Sequence, residues 1–181
     1  MKATGIVRKI DDLGRVVIPK EIRKNLRIKE GDPLEIYIEK SGEIVLKKYA
    51  PMGDMLEIAT QYAETLSKTS NFSACITDME TIIAVSGAPK NEYLARCISE
   101  HVVNVMEERA IWSTLDDSVM PIVEGENTAK YKSQIIAPII CDADAIGTVI
   151  LFSNDFKQKI TNVEYKLVQS AASFLGKQME P

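Results

Sequence analysis

Read for the alternation of apolar and polar positions, the chain changes character near residue 50. Before that point the apolar runs are short. Residues 4–10 and 15–18 predict two brief strands around Asp11-Asp12-Leu13-Gly14, a turn whose Gly14 is free to take a positive φ. Pro19 suits the first position of a helix, where its missing N–H costs nothing, and a two-turn helix is predicted over 19–26. Ile22 and Leu26 give that helix one apolar edge, while Lys20, Arg23, Lys24 and Arg27 share a side at i, i+3, i+4 and i+7. Leu34, Ile36 and Ile38 then face one way and Glu35, Tyr37 and Glu39 the other; Ser41-Gly42 turns the chain, and Ile44 and Leu46 continue the apolar face. Four short strands and one short helix bury too little surface to stand alone, so a second copy sharing the core is expected on size alone.

The stretch 49–53 breaks this pattern and divides the chain into a head, residues 1–52, and a body, residues 53–181. The break is too short to leave the two uncoupled. In the body a helix is predicted over 54–67, with Leu56, Ala59, Ala63 and Leu66 on one face and Met55, Ile58 and Tyr62 on the next. Strands follow at 73–77 and 81–85, then one helix over 92–108, a short apolar piece at 110–112 and an irregular stretch over 113–130. Two strong strands, 133–141 and 145–152, are joined by Asp142-Ala143-Asp144, and Pro138 inside the first implies a bulge or an edge. Thr161 and Glu164 form a capping box for the last helix, with Ile160 and Tyr165 placed as a hydrophobic staple. Helix, strands, helix, strands, helix is an α+β layout around an antiparallel sheet. The first and last helices of the body are apolar over more than one face. A helix bundle between subunits and deep burial within one large core both account for that.

Composition adds three points. With 181 residues and 45% hydrophobic positions the chain has a real core, and it contains no apolar run long enough to span a bilayer. Residues 1–8 lack the apolar stretch of a secretory signal, and three widely spaced cysteines (Cys75, Cys97, Cys141) are no disulfide framework, so a cytoplasmic setting is expected. The net charge of −4 conceals an asymmetry: the head carries twelve Lys/Arg against eight Asp/Glu, leaving the body at −8. Like charges at i, i+4 weaken a helix, so the cationic side of helix 19–26 is not there for stability; a phosphate backbone explains it, a merely solvated face being the alternative.

The run Thr4-Gly-Ile-Val-Arg8-Lys-Ile-Asp-Asp-Leu-Gly-Arg15-Val-Val-Ile-Pro19-Lys-Glu-Ile-Arg23-Lys24 resembles the AbrB-type swapped-hairpin family of bacterial transition-state and sporulation regulators, over residues 1–50. The resemblance implies an N-terminal swapped-hairpin β-barrel, an interleaved homodimer that binds double-stranded DNA. It maps the DNA-contacting positions onto Arg8 and Arg15 in the loop region and Arg23 and Lys24 on the helix, with Lys9 as an auxiliary contact. Lysine at 24, where the family often has arginine, keeps the charge without the planar fork and suits phosphate contact. In the body, Ile136-Ala-Pro138-Ile-Ile and Ala145-Ile-Gly147-Thr-Val-Ile-Leu resemble the closing hairpin of GAF domains, which are small-molecule sensors. The combination at this length is similar to regulators of endospore-forming bacteria. It implies a nucleoid-associated, sequence-specific forespore regulator, activator of some genes and repressor of others, tetrameric through its C-terminal antiparallel-sheet GAF-like domain.

The remaining candidate chemistry has plainer readings. Cys97 and His101 lie four apart on the predicted helix 92–108 but have no neighbouring third ligand, and a half-buried structural pair is expected. Asp142 and Asp144 suit a hairpin turn through their own backbone bonds. Ser86-Gly87 is not a nucleophile elbow, and no phosphate-cradling glycine loop is present. Some GAF-fold proteins reduce methionine sulfoxide with pocket cysteines; that needs a reactive, exposed thiol, and it leaves the basic head unexplained. The expectation is therefore no catalytic residue, no metal and no cofactor. Whether the body senses an unknown small molecule or only assembles stays open, with 113–130 as the place for a lid.

Overall fold

The computed structural model describes residues 6–26, 28, 30–31, 33–48, 56–115 and 118–179, in two units divided between Tyr49 and Ala50. In the first unit Asp11 builds the expected turn. Its Oδ1 accepts from Leu13 N (3.0 Å) and Arg15 N (2.8 Å), and Gly14 takes φ +76°. The strands expected at 4–10 and 15–18 do not form among the described residues, 6–10 and 15–18. Asp11 N donates to Arg15 O (3.1 Å), but the arms leave Ile6, Val7, Ile10, Val16 and Val17 facing solvent. A two-stranded ribbon with no face to pack on is marginal.

Helix α1 spans Lys20–Asn25, and Pro19, expected as its first residue, stands just outside it with ψ 149°. Strands β1 (Leu34–Ile38) and β2 (Ile44–Lys48) form the expected hairpin, with Ile36 opposite Leu46 and Ile38 opposite Ile44. Those four side chains lie on one face, and that face is bare: Ile36 is 64% exposed, Ile38 79%, Ile44 68% and Leu46 40%. Among the described residues of this unit, only Pro19 is buried.

The second unit has the α+β layout with an antiparallel sheet in the order β4-β3-β7-β6-β5, from β3 (Ser73–Thr77), β4 (Ile82–Ser86), β5 (Trp112–Ser113), β6 (Ser133–Cys141) and β7 (Asp144–Ser153). Both faces of the sheet are covered. Helices α2 (Leu56–Ser70) and α5 (Asn162–Gln178) cover one, burying Ala59, Ala63, Leu66, Val168, Ala171 and Leu175 against Ile76, Ala137, Val149 and Leu151. The short helix α3 (Lys90–Tyr93), α4 (Glu100–Glu108) and the loop after β5 cover the other, with Tyr93, Val102, Ile122 and Tyr131 against Cys75, Ile136, Ile150 and Phe152. Near-continuous apolar strands follow from this two-sided burial.

Local chemistry sets the joints. Asp142 and Ala143 both take positive φ (48° and 69°), the conformation of a two-residue type I′ hairpin. Pro138 sits where β6 has run past β5, which pairs only at Ile135 and Ile136, and the register shifts between Ile139 and Ile140. The capping box of α5 is present: Thr161 N donates to Glu164 Oε2 (2.8 Å) and Val163 N to Thr161 Oγ1 (3.2 Å).

One expectation changes, and one of two alternatives falls. The single helix 92–108 is split, because Ala95 N donates to Ile82 O (2.8 Å) and Ile82 N to Arg96 O (3.0 Å). These bonds to β4 pull the chain out of helical geometry, with Ala95 at φ +61°, until Ser99 caps α4. The broad apolar arcs of α2 and α5 are not buried whole within one core. Ile58, Tyr62, Leu167 and Phe174 instead line an open groove between the helices, Tyr62 stacks on Phe174 at 5.3 Å, and Leu56 and Val163 are exposed. Residues 54 and 55 of the expected first helix lie outside the described residues.

Candidate functional site

The predicted DNA-contacting residues stand in the first unit. Arg8 and Lys9 are exposed on the arm before the turn. Arg15, after it, donates from Nε to Asp11 Oδ2 at 2.8 Å, and the bonds from Arg15 hold the Asp11 carboxyl below its ordinary range. Both side chains are exposed, so solvent screens this pair and a competing anion can take the guanidinium. Arg23 and Lys24 occupy the last turn of α1, where cations also favour the helix dipole. Lys24 is exposed. Arg23 is half-buried, and its Nε is shielded without a hydrogen-bond partner among the described residues. Arg27, which completes the predicted cationic side with exposed Lys20, lies outside the described residues.

Of the body's candidates, Cys97 and His101 do not share a helix: Cys97 bridges to Thr81, while His101 lies exposed on α4. Asp144 pairs with Arg109 at 3.1 Å. Cys75 is fully buried, and burial, with the charge of Glu126, pushes its thiol up, the reverse of what a nucleophilic cysteine requires.

One constellation was not foreseen. Glu126 receives Tyr131 Oη (2.6 Å) and Lys130 Nζ (2.8 Å) on Oε1, and Ile122 N (3.0 Å) and Val123 N (3.2 Å) on Oε2. Since Tyr131 donates to the carboxylate, the 3.0 Å contact between the two phenols is Tyr93 donating to Tyr131. Both rings are buried against Phe152, and Lys130 Nζ lies 4.7 Å from the centre of Tyr93. Burial pushes Glu126 up, but bonds from Lys130, Tyr131 and the two backbone amides outweigh it, so the carboxyl is held below its ordinary value. Burial pulls Lys130 down, and Glu126 with Tyr93 more than reverses that. Tyr131 is pushed up by burial and by its bond to Glu126. The i,i+4 spacing of Glu126 and Lys130 was the one signal in the sequence, within a stretch that reads as irregular.

Together the basic head and the three-layered body define a two-module regulator: an AbrB-like DNA-binding module joined to a GAF-fold domain. The body fold matches solved structures at a TM-score of 0.56. These are the GAF domain of an Acinetobacter phosphoenolpyruvate-protein phosphotransferase (11% identity, 69% of this chain and 81% of that one) and a type II free methionine-R-sulfoxide reductase from Thermoplasma acidophilum (11%, 71% and 94%). At such identity the likeness is one of fold. The family model for the stage V sporulation protein T C-terminal domain, a transcription factor, matches residues 54–180, and the MazE bacterial antitoxin model matches 7–54. The chain is 47% identical to stage V sporulation protein T of Bacillus subtilis over 99% of both, and its head is 63% identical to the transition state regulatory protein AbrB of that organism over 51 residues, 28% of this chain and 52% of AbrB. The chain belongs to the stage V sporulation protein T family of transcription factors.

Proposed function

We propose that the chain is a sequence-specific regulator of forespore transcription, activating some genes and repressing others, that grips double-stranded DNA through a homodimeric head over residues 1–52. The observation that carries this is the pairing of a bare apolar hairpin with outward cations in one small unit. The apolar face requires a second copy, and the cations of both copies then face one polyanion. Arg8, Lys9, Arg15, Arg23 and Lys24 are the contacts, Lys24 as a point charge on phosphate and Arg15 by exchanging Asp11 for phosphate. The body, residues 53–181, joins two dimers into a tetramer through the apolar groove of α2 and α5 and responds to a small molecule. It carries out no catalytic step, and the protein works on the nucleoid in the cytoplasm.

Arg15→Ala tests the interface. Affinity for operator duplex, followed by fluorescence anisotropy from low to high salt, falls in the variant, and the log–log salt slope flattens by roughly 0.9 for each phosphate that is no longer neutralised. Unchanged affinity and slope, with the dimer intact, overturn the assignment.

A further inference from the structure

DNA binding leaves Glu126 unused, yet each of its carboxylate oxygens meets two donors, the full set a buried carboxylate takes from a protein. Stability alone does not call for this group, because an ion pair whose lysine is one-third exposed contributes little. Nor is Glu126 the covering loop's only tether. The Gln134 amide donates to Met120 O (2.9 Å) and accepts from Met120 N (2.8 Å), Ser99 Oγ donates to Pro121 O (2.5 Å), and Ser99 N donates to Ile122 O (2.9 Å). These bonds tether residues 120–122 independently of Glu126, and the bridge of Val123 to Ile98 does the same for Val123. Glu126 itself closes a turn through a long bond to Val123 O (3.3 Å), and Lys130, one-third exposed, also reaches the exposed Glu92 Oε2 at 3.5 Å, which marks the solvent side of the site.

We infer that the amides of Ile122 and Val123, the Lys130 ammonium and the Tyr131 hydroxyl form a carboxylate-binding site that the chain fills with its own Glu126. The ligand is a small molecule presenting one carboxylate, which takes these donors and expels Glu126 with its turn. Two oxygens with two donors each suit a flat carboxylate better than a tetrahedral phosphate. The inference rests on the reading of the body as a sensor, and names the chemistry that it senses.

Glu126→Ala in the full chain removes the atoms of one acetate, so sodium acetate is the probe, with sodium chloride at matched ionic strength as reference. Thermal unfolding of the variant shifts up saturably with acetate, by roughly 3–6 °C. The parent and Glu126→Gln, whose sites are filled, do not shift, nor does Glu126→Ala combined with Tyr131→Phe; sodium phosphate has no effect beyond chloride. If Glu126→Ala is unfolded by itself, acetate restores its folded circular dichroism. A variant that responds to acetate no more than to chloride, that responds equally to phosphate, or that is rescued without Tyr131 overturns the site. Duplex affinity measured alongside separates the two readings: rescue without any change in DNA binding keeps the site and removes the sensor, whereas absent rescue with DNA binding intact removes the site alone.

Discussion

Ile36→Lys tests the need for a second copy of the head. Ile36 stands opposite Leu46 on the bare hairpin face and is 64% exposed in the isolated chain. In a protein that works as a monomer, lysine at so open a position changes stability by no more than about 0.5 kcal/mol. In a dimer that covers the face, the exposed two-thirds of the side chain is what association buries. Burying a whole isoleucine contributes about 1.5–3 kcal/mol, so this share contributes about 1–2 kcal/mol per subunit. Two-fold symmetry counts the loss twice, giving about 2–4 kcal/mol, or about 30- to 900-fold in the Kd of the head interface. The lysine charge adds to that, so the range is a floor. Sedimentation equilibrium of the full chain reads the effect as loss of the largest species, and anisotropy with duplex DNA reads it as weaker binding. Ile36→Val, which keeps the β-branch and drops one methylene, stays close to the parent. If Ile36→Lys keeps the parent's species and affinity, the isoleucine face is open in the working protein and the reasoning fails.

Three further outcomes test the body. Gly176→Ala places a Cβ 2.1 Å from Ile140 O; without that clash alanine inside a helix would stabilise by about 1 kcal/mol, so a net loss of about 1–3 kcal/mol in thermal unfolding is expected, and a gain would mean that α5 does not seat on β6. Because the folded value of Glu126 lies below its unfolded one, its contribution to stability is present above about pH 4.3 and is lost as pH falls below that toward the depressed value; Glu126→Gln flattens this part of the pH–stability profile measured by denaturant unfolding. Cys75, buried and pushed up, is alkylated by iodoacetamide far more slowly in the native protein than in denaturant, as peptide mapping would read; comparable rates would place the thiol at the surface.

Elements specified by neighbouring residues were legible in the sequence. The α5 capping box needs only Thr161 and Glu164, the closing hairpin only Asp142 and Ala143 between two apolar runs, and the β1–β2 hairpin only its alternation around Ser41-Gly42. Elements specified from a distance were not. Nothing local marks the break between Tyr93 and Ser99, because the bonds that hold Ala95 and Arg96 out of the helix come from Ile82 on β4. The Glu126 site was hidden for the same reason: its donors at 122, 123, 130 and 131 converge only once the loop lies on the sheet. The missing strands at 6–10 and 15–18 show a third kind of limit. Their alternation was real, but it marks a face to be buried, and one copy of the head leaves Ile6, Val7, Ile10, Val16 and Val17 with nothing to pack on.

A head with Pro19 as its only buried described residue has little folding free energy of its own, so in the homodimer we propose its folding and its dimerisation are one equilibrium. On that proposal, any event in the body that changes how often two heads meet changes DNA affinity without touching a single one of the proposed contact cations. By linkage, a ligand that favoured the proposed assembly would in turn be bound more tightly in the presence of duplex DNA, by the same factor. Control of this kind needs no rigid path between head and body. It needs a body stable enough to persist in every state, as its two-sided core provides, and a head that is not.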